Sequence, residues 1–322
     1  MTTNNNSSTA APSVASLSDT ESFSPLDWTE FFETKRQVAV PIALDASEIT
    51  FTVYEINRDR KDLPVIVLHH GVGHCALSFA ATGRELRKLV GDQARIVSID
   101  ARGHGETTSR DQTNLHIDRL SQDLQNVLVT LYGPSQEETM PEIFLVGHSM
   151  GGAVVTDVAY KNLVPSVSAI AVLDMIELYK PHALPNVRLW CERRPTTCET
   201  VEQAIKWGVQ SDTVRNVESA RASFPGMVTR TSDGSAYVWR TDPLASEPLW
   251  TTWFDGLSQK FLAAKTAKLL ILGGHGFIDD EMNKAQEQSK FKFSIFAESG
   301  HAVEEDEPER MAKELVAFWK KD

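Results

Sequence analysis

The 322-residue chain is 41% hydrophobic and 24% charged, ordinary figures for a globular protein with ample core, and its formal net charge of −12 argues against nonspecific binding to nucleic acid or anionic membrane. Three cysteines, Cys75, Cys191 and Cys198, are too few for a disulfide framework and fit a reducing, intracellular setting, cytoplasmic or nuclear. No apolar run approaches the ~18 residues that a membrane span needs, and Cys191 and Cys198 lack the histidine neighbours of a metal site, so neither membrane, metal nor cofactor is expected.

Residues 1–24 are expected to form a disordered leader: the first twenty are rich in Thr, Asn, Ser and Ala and carry no lysine or arginine. One α/β domain is expected over 25–322. It opens with a docked segment in which Trp28, Phe31 and Phe32 cover a sheet edge. Alternating apolar residues at 37–43 and 49–54, either side of Asp45-Ala46-Ser47, predict a hairpin. Val65-Ile66-Val67-Leu68 reads as a fully buried strand running into a loop of His69, His70, Gly71, Val72, Gly73 and His74. A helix at 79–90 and a strand at 95–99 follow, then an amphipathic helix whose apolar face is Leu120, Leu124, Val127, Leu128 and Leu131.

The next stretch organises the chain. Apolar Ile143 to Val146 make a short strand, Gly147-His148-Ser149-Met150-Gly151 fits the G-x-S-x-G nucleophile elbow, and Gly152 to Ala159 form a small-residue helix. A serine attacks well only from a sharp turn, and a side chain at either glycine would crowd it. A strand at 169–173 ends in Asp174. Strands at 269–272 and 291–296 bracket a helix near 280–288, and a helix at 308–320 closes the chain. This alternation predicts a mostly parallel sheet with helices on both faces. Between about 181 and 261 the rhythm breaks, with Trp190, Trp207, Trp239, Trp250 and Trp253 and helical pieces near 200–209 and 213–223. That region reads as a cap inserted after the strand ending at Asp174.

Serine needs a base oriented by an acid, and in a fold of this kind they follow it in the order acid, then histidine. His182, His275 and His301 qualify by position. His301, after the last strand and before the closing helix, is the expected base. Asp174 is the expected acid, with Asp279 as the alternative because Gly276 occupies the commoner position. The N–H groups of Met150 and Val72 are the expected oxyanion donors. His70, His74 and His148 read as bracing or packing residues, His104 and Asp100 as parts of a turn, with Arg102 and His104 at the rim of the site.

With these residues in place the chain resembles the protein phosphatase methylesterase family, serine hydrolases that remove the methyl ester from the C-terminal leucine of the protein phosphatase 2A catalytic subunit. The likeness runs from about 25 to 320. It rests on Trp28-Thr-Glu-Phe-Phe, Asp100-Ala-Arg-Gly-His-Gly-Glu-Thr, the elbow, and five cap motifs: Arg194-Pro-Thr-Thr, Glu202-Gln-Ala-Ile-Lys-Trp, Arg215-Asn-Val-Glu-Ser-Ala-Arg, Tyr237-Val-Trp-Arg and Trp253-Phe-Asp-Gly-Leu-Ser. The resemblance implies an α/β-hydrolase fold, a triad of Ser149, Asp174 and His301, and the phosphatase's C-terminal tail as partner and substrate of a monomeric enzyme. Val72 stands where the family's loop has glycine, and Leu178 replaces a glycine after Glu177. Cap arginines Arg194, Arg215 and Arg221 are expected to hold the tail. A general carboxylesterase or lipase, or a catalytically silent phosphatase-binding regulator, are the alternatives.

Overall fold

The computed structural model describes residues 23–41, 48–133, 139–274 and 276–320. The leader up to residue 22, the turn of the first hairpin at 42–47, and His275 lie outside them.

In chain order the elements are β1 (Thr34–Pro41), β2 (Glu48–Ile56), β3 (Val65–His69), α1 (Ala80–Val90), β4 (Arg95–Ile99), α2 (Ile117–Tyr132), β5 (Ile143–His148), α3 (Met150–Tyr160) and β6 (Val167–Leu173). After these come α4 (Lys180–Arg193), α5 (Val201–Gln210), α6 (Val217–Met227), β7 (Val228–Arg230), β8 (Tyr237–Trp239), α7 (Thr251–Phe254) and α8 (Leu257–Ala263). The chain ends with β9 (Ala267–Gly273), α9 (Asp280–Glu287), β10 (Lys292–Phe296), α10 (Val303–Asp306) and α11 (Pro308–Trp319).

Eight strands form one sheet in the order β1-β2-β4-β3-β5-β6-β9-β10. Strand β2 runs antiparallel to both β1 and β4, and every pairing from β4 across to β10 is parallel. Strands β3, β4 and β5 are buried at every residue, which is why the first four positions of β3 and of β5 read as continuous apolar runs: helices cover both of their faces. Along β3, Val65 and Val67 belong to the core on one face with Leu120 and Leu124 of α2 and Val154 of α3, while Ile66 and Leu68 belong to the core on the other with Leu86 of α1 and Leu315 of α11. This is the mostly parallel sheet, with helices on both faces, that the strand and helix rhythm predicted. Phe31 and Phe32 are buried, with Phe32 and Trp28 against the Tyr54 ring of β2. No helix among the described residues is long and apolar enough to cross a membrane.

The insertion between β6 and β9 holds more helix than its sequence advertises. Helix α4 covers 180–193, where none was predicted, because Pro181 in its first turn is tolerated and Pro185 disguises its interior. Helix α6 starts at Val217, not near 213, because the Asn216 side chain accepts the Ser219 N–H at 3.1 Å and caps it there. The last helix of the insertion, α8, packs on α3 beneath the sheet.

Candidate active site

Strand β5 ends at His148 and helix α3 begins at Met150, so Ser149 must turn the chain alone, and it does so in the left-handed region at φ 49°, ψ −118°. The flanking glycines make this possible. A Cβ on Gly147 would lie 2.2 Å from the Gly151 carbonyl oxygen, and one on Gly151 would lie 2.2 Å from that of His69 in β3. The Ser149 N–H donates to Leu173 O at 2.9 Å, which locks the elbow to the end of β6.

One residue beyond that point stands Asp174, also at positive φ (48°), its N–H bonded to Ile271 O of β9 at 2.8 Å. Its Oδ1 accepts the Gly273 N–H at 2.8 Å and its Oδ2 lies 2.6 Å from His301 Nδ1. Burial disfavours the Asp174 anion, yet its hydrogen bond and charge interaction with His301 win, and its pKa is lowered. Desolvation likewise opposes the His301 cation and is outweighed by Asp174, so this imidazole titrates above the usual histidine value. The ring is 52% exposed by area.

The loop bearing His301 is held from three sides. Asp306 Oδ2 accepts the Gly300 N–H at 2.7 Å, while its Oδ1 accepts the Arg215 N–H from the insertion at 2.7 Å. Arg215 Nη1 donates to Glu298 O at 2.6 Å. His148 Nε2 donates to His301 O at 2.9 Å. Because Asp174 engages Nδ1, Nε2 is the nitrogen left to serve as base. Among the described residues Ser149 Oγ makes no hydrogen bond with that ring, although both line one cavity of about 560 Å³. Its walls are chiefly apolar, including Met175, Ile176, Leu184, Trp190 and Trp250.

Val72 lines the same cavity, and Met150 opens α3 beside Ser149. Neither N–H has an acceptor among the described residues, so both remain available to an oxyanion. The loop carrying Val72 is braced by two neutral histidines: His104 Nε2 accepts the Gly73 N–H, and His70 Nε2 accepts the Ala101 N–H, each at 2.9 Å. Burial keeps them neutral, with His104 down at about 4 and His70 well below its ordinary value.

Other residues singled out from sequence fall elsewhere. Asp279, the alternative acid, caps α9 by accepting the Met282 N–H at 2.8 Å. Arg215 lines the cavity; Arg194 and Arg221 do not. Arg194 lies against the Trp190 and Trp239 rings and donates to Thr241 O, and Arg221 Nε donates to Ser24 O in the N-terminal segment. Arg102, expected at the rim, is buried in a two-point pairing with Asp123 of α2 at 2.7 and 2.9 Å. Asp100 is a buried turn residue accepting the Ala76 and Glu106 N–H groups. Sequence reasoning missed Asp306, Glu304 and Glu305; the acidic run directly after His301 was the one available signal.

The α/β hydrolase family model matches residues 66–314. "Protein phosphatase methylesterase 1" of Aspergillus oryzae is 38% identical over 309 residues, covering 92% of this chain and 71% of that protein. Its human counterpart of the same name is 33% identical over 337 residues, covering 92% and 84%. Among solved structures, an E-2-(acetamidomethylene)succinate hydrolase superposes with a TM-score of 0.71 at 17% identity, over 89% of this chain and all of that one. That last likeness is one of fold.

Proposed function

The chain belongs to the protein phosphatase methylesterases of the α/β hydrolase family, and from that premise we propose that it demethylates the C-terminal leucine methyl ester of a protein phosphatase 2A catalytic subunit. The observation that carries the reading is the 2.6 Å contact of Asp174 with His301 at the mouth of the cavity that also holds Ser149. The apolar walls suit a leucyl side chain, and the methyl ester carbonyl would meet Ser149 at the elbow.

In this reading Ser149 Oγ attacks the carbonyl carbon and gives its proton to His301 Nε2. Asp174 holds the ring in the Nδ1–H tautomer and stabilises the imidazolium that forms. The N–H groups of Met150 and Val72 take the negative charge on the former carbonyl oxygen. Collapse of the tetrahedral adduct expels methoxide, which leaves as methanol with the proton from His301. Water, deprotonated by the same ring, then cleaves the acyl-serine and frees the leucine carboxylate. Arg215, at the cavity wall, supplies positive charge for that carboxylate or for neighbouring acidic groups of the tail.

The test is demethylation of intact methylated phosphatase by wild type and Ser149→Ala, run beside short acyl esters. Wild type should prefer the phosphatase and the variant should lose turnover by several orders of magnitude. Equal activity on both substrates would indicate a general esterase. An active Ser149→Ala protein, or a wild type whose Ser149 resists an active-site fluorophosphonate, would overturn the mechanism.

A further inference from the structure

We propose that His74, Glu304 and Glu305 form a binding site for a divalent transition-metal ion of the zinc or manganese type, behind the loop that carries His301. Their ligand atoms lie within 4.8 Å of one another. All three side chains are buried, Glu304 and Glu305 at 0% exposure and His74 at 6%. His74 Nδ1 stands 3.1 Å from Glu305 Oε1. An ion held about 2.1 Å from two neighbouring ligands keeps those ligands roughly 3.0–3.4 Å apart, so the spacing suits a shared ion.

The second observation is an unsatisfied one. Both carboxylate oxygens of Glu304 and Oε2 of Glu305 are buried with no hydrogen-bond partner among the described residues. Glu304 Oε1 comes within 2.9 Å of His148 Nδ1, but with the His148 proton on Nε2 that nitrogen is itself an acceptor, and both atoms lack a hydrogen-bond partner. The other buried acids are satisfied: Glu55 meets Arg36, Asp123 meets Arg102, Asp157 meets Lys161, and Asp100 accepts two backbone N–H groups. Glu304 and Glu305 have no such cation: imidazoles are their ion-pair partners, and the Ser78 and Ser223 hydroxyls beside Glu305 carry no charge. Once ionised, the two buried carboxylates would carry a charge of −2, which a divalent ion cancels and a neutral imidazole does not. One nitrogen with two carboxylates is a donor set that zinc and manganese accept. Such an ion would join the loop of Val72, through His74, to the helix after His301, through Glu304 and Glu305.

Without an ion, burial moves Glu304 up to about 7 and His74 down to about 3, and the cluster keeps protons instead. Untagged protein, stripped with a chelator and dialysed against Zn²⁺ or Mn²⁺ near neutral pH, distinguishes the two. The expected result is one ion per chain by elemental analysis, a higher Tm with the ion bound, and loss of both in Glu304→Gln and Glu305→Gln. If an amide variant fails to fold, His74→Gln should lose the ion, and Co²⁺ loaded into wild type should give a ligand-field absorption band. Wild type that takes up no more metal than the amide variants, with an unchanged Tm and no cobalt band, would overturn the proposal. Uptake and melting are read without substrate, so the result is independent of the demethylation reading.

Discussion

Replacing Asp174 with Asn should leave the fold standing and stop the chemistry. The Asn carbonyl can still accept the Gly273 N–H, which the native Oδ1 takes at 2.8 Å. Its amide then faces His301 Nδ1, 2.6 Å away in the native protein, as a donor. The ring must present a lone pair there and carry its proton on Nε2, the nitrogen that has to accept from Ser149. Inverting the tautomer in a serine hydrolase triad costs about 10,000-fold in turnover, which corresponds to about 5 kcal/mol of transition-state stabilisation. The assay is kcat and kcat/KM for methyl ester hydrolysis across pH. Because Asp174 holds the His301 pKa above the ordinary ~6.5, the acid limb of residual activity should move to lower pH in the variant. The ion pair also has a stability signature. The depressed Asp174 contributes stability above its unfolded pKa of ~3.8 that is lost as pH falls through the folded value. The raised His301 contributes stability below ~6.5 that is lost as pH rises through the folded value. The Asn variant should therefore lose most stability in the window between. A fall in kcat of less than tenfold, with an unmoved acid limb, would refute Asp174 as the orienting acid.

Gly151→Ala should destabilise the fold by on the order of 3 kcal/mol in urea unfolding, since its Cβ would meet the His69 carbonyl oxygen at 2.2 Å; a change under ~1 kcal/mol would show that the elbow can yield. Arg102→Ala should cost roughly 3 kcal/mol by leaving buried Asp123 with Arg119 alone, 3.2 Å away, as its counter-charge, with KM unchanged. Arg215→Ala should raise KM for the methylated tail about tenfold, while Arg221→Ala, which removes a bond to Ser24 O, should lower stability by about 1 kcal/mol and leave KM alone. Equal KM effects from both arginines would place the tail outside the cavity.

How legible these features were depended on how local their causes are. The elbow could be read because strand, turn and helix lie within some fifteen consecutive residues, and Asp174 and His301 because each directly follows a sheet strand or its turn. The glycine clashes act across only a few residues or onto the next strand. Helix α4 was hidden by Pro181 and Pro185, whose ordinary meaning is a break. Arg102 looked exposed because its partner Asp123 lies on a helix whose packing the local sequence does not report. The three cap arginines could not be told apart, since which one lines the cavity depends on how α4 and α6 fold back over the sheet. The pairing of His74 with Glu305 spans 231 positions and leaves no spacing pattern to detect.

Ser149 and Asp174 share an unusual trait: neither is glycine, yet both are held at φ near +50°. Such backbone costs of order 1–3 kcal/mol per residue, an appreciable part of the 5–15 kcal/mol by which a domain of this kind outlasts unfolding. On the proposed mechanism, selection for heat resistance alone would therefore drift toward glycine at both positions and yield a hardier, inert protein. A demand for turnover would then be what keeps a hydroxyl and a carboxylate there.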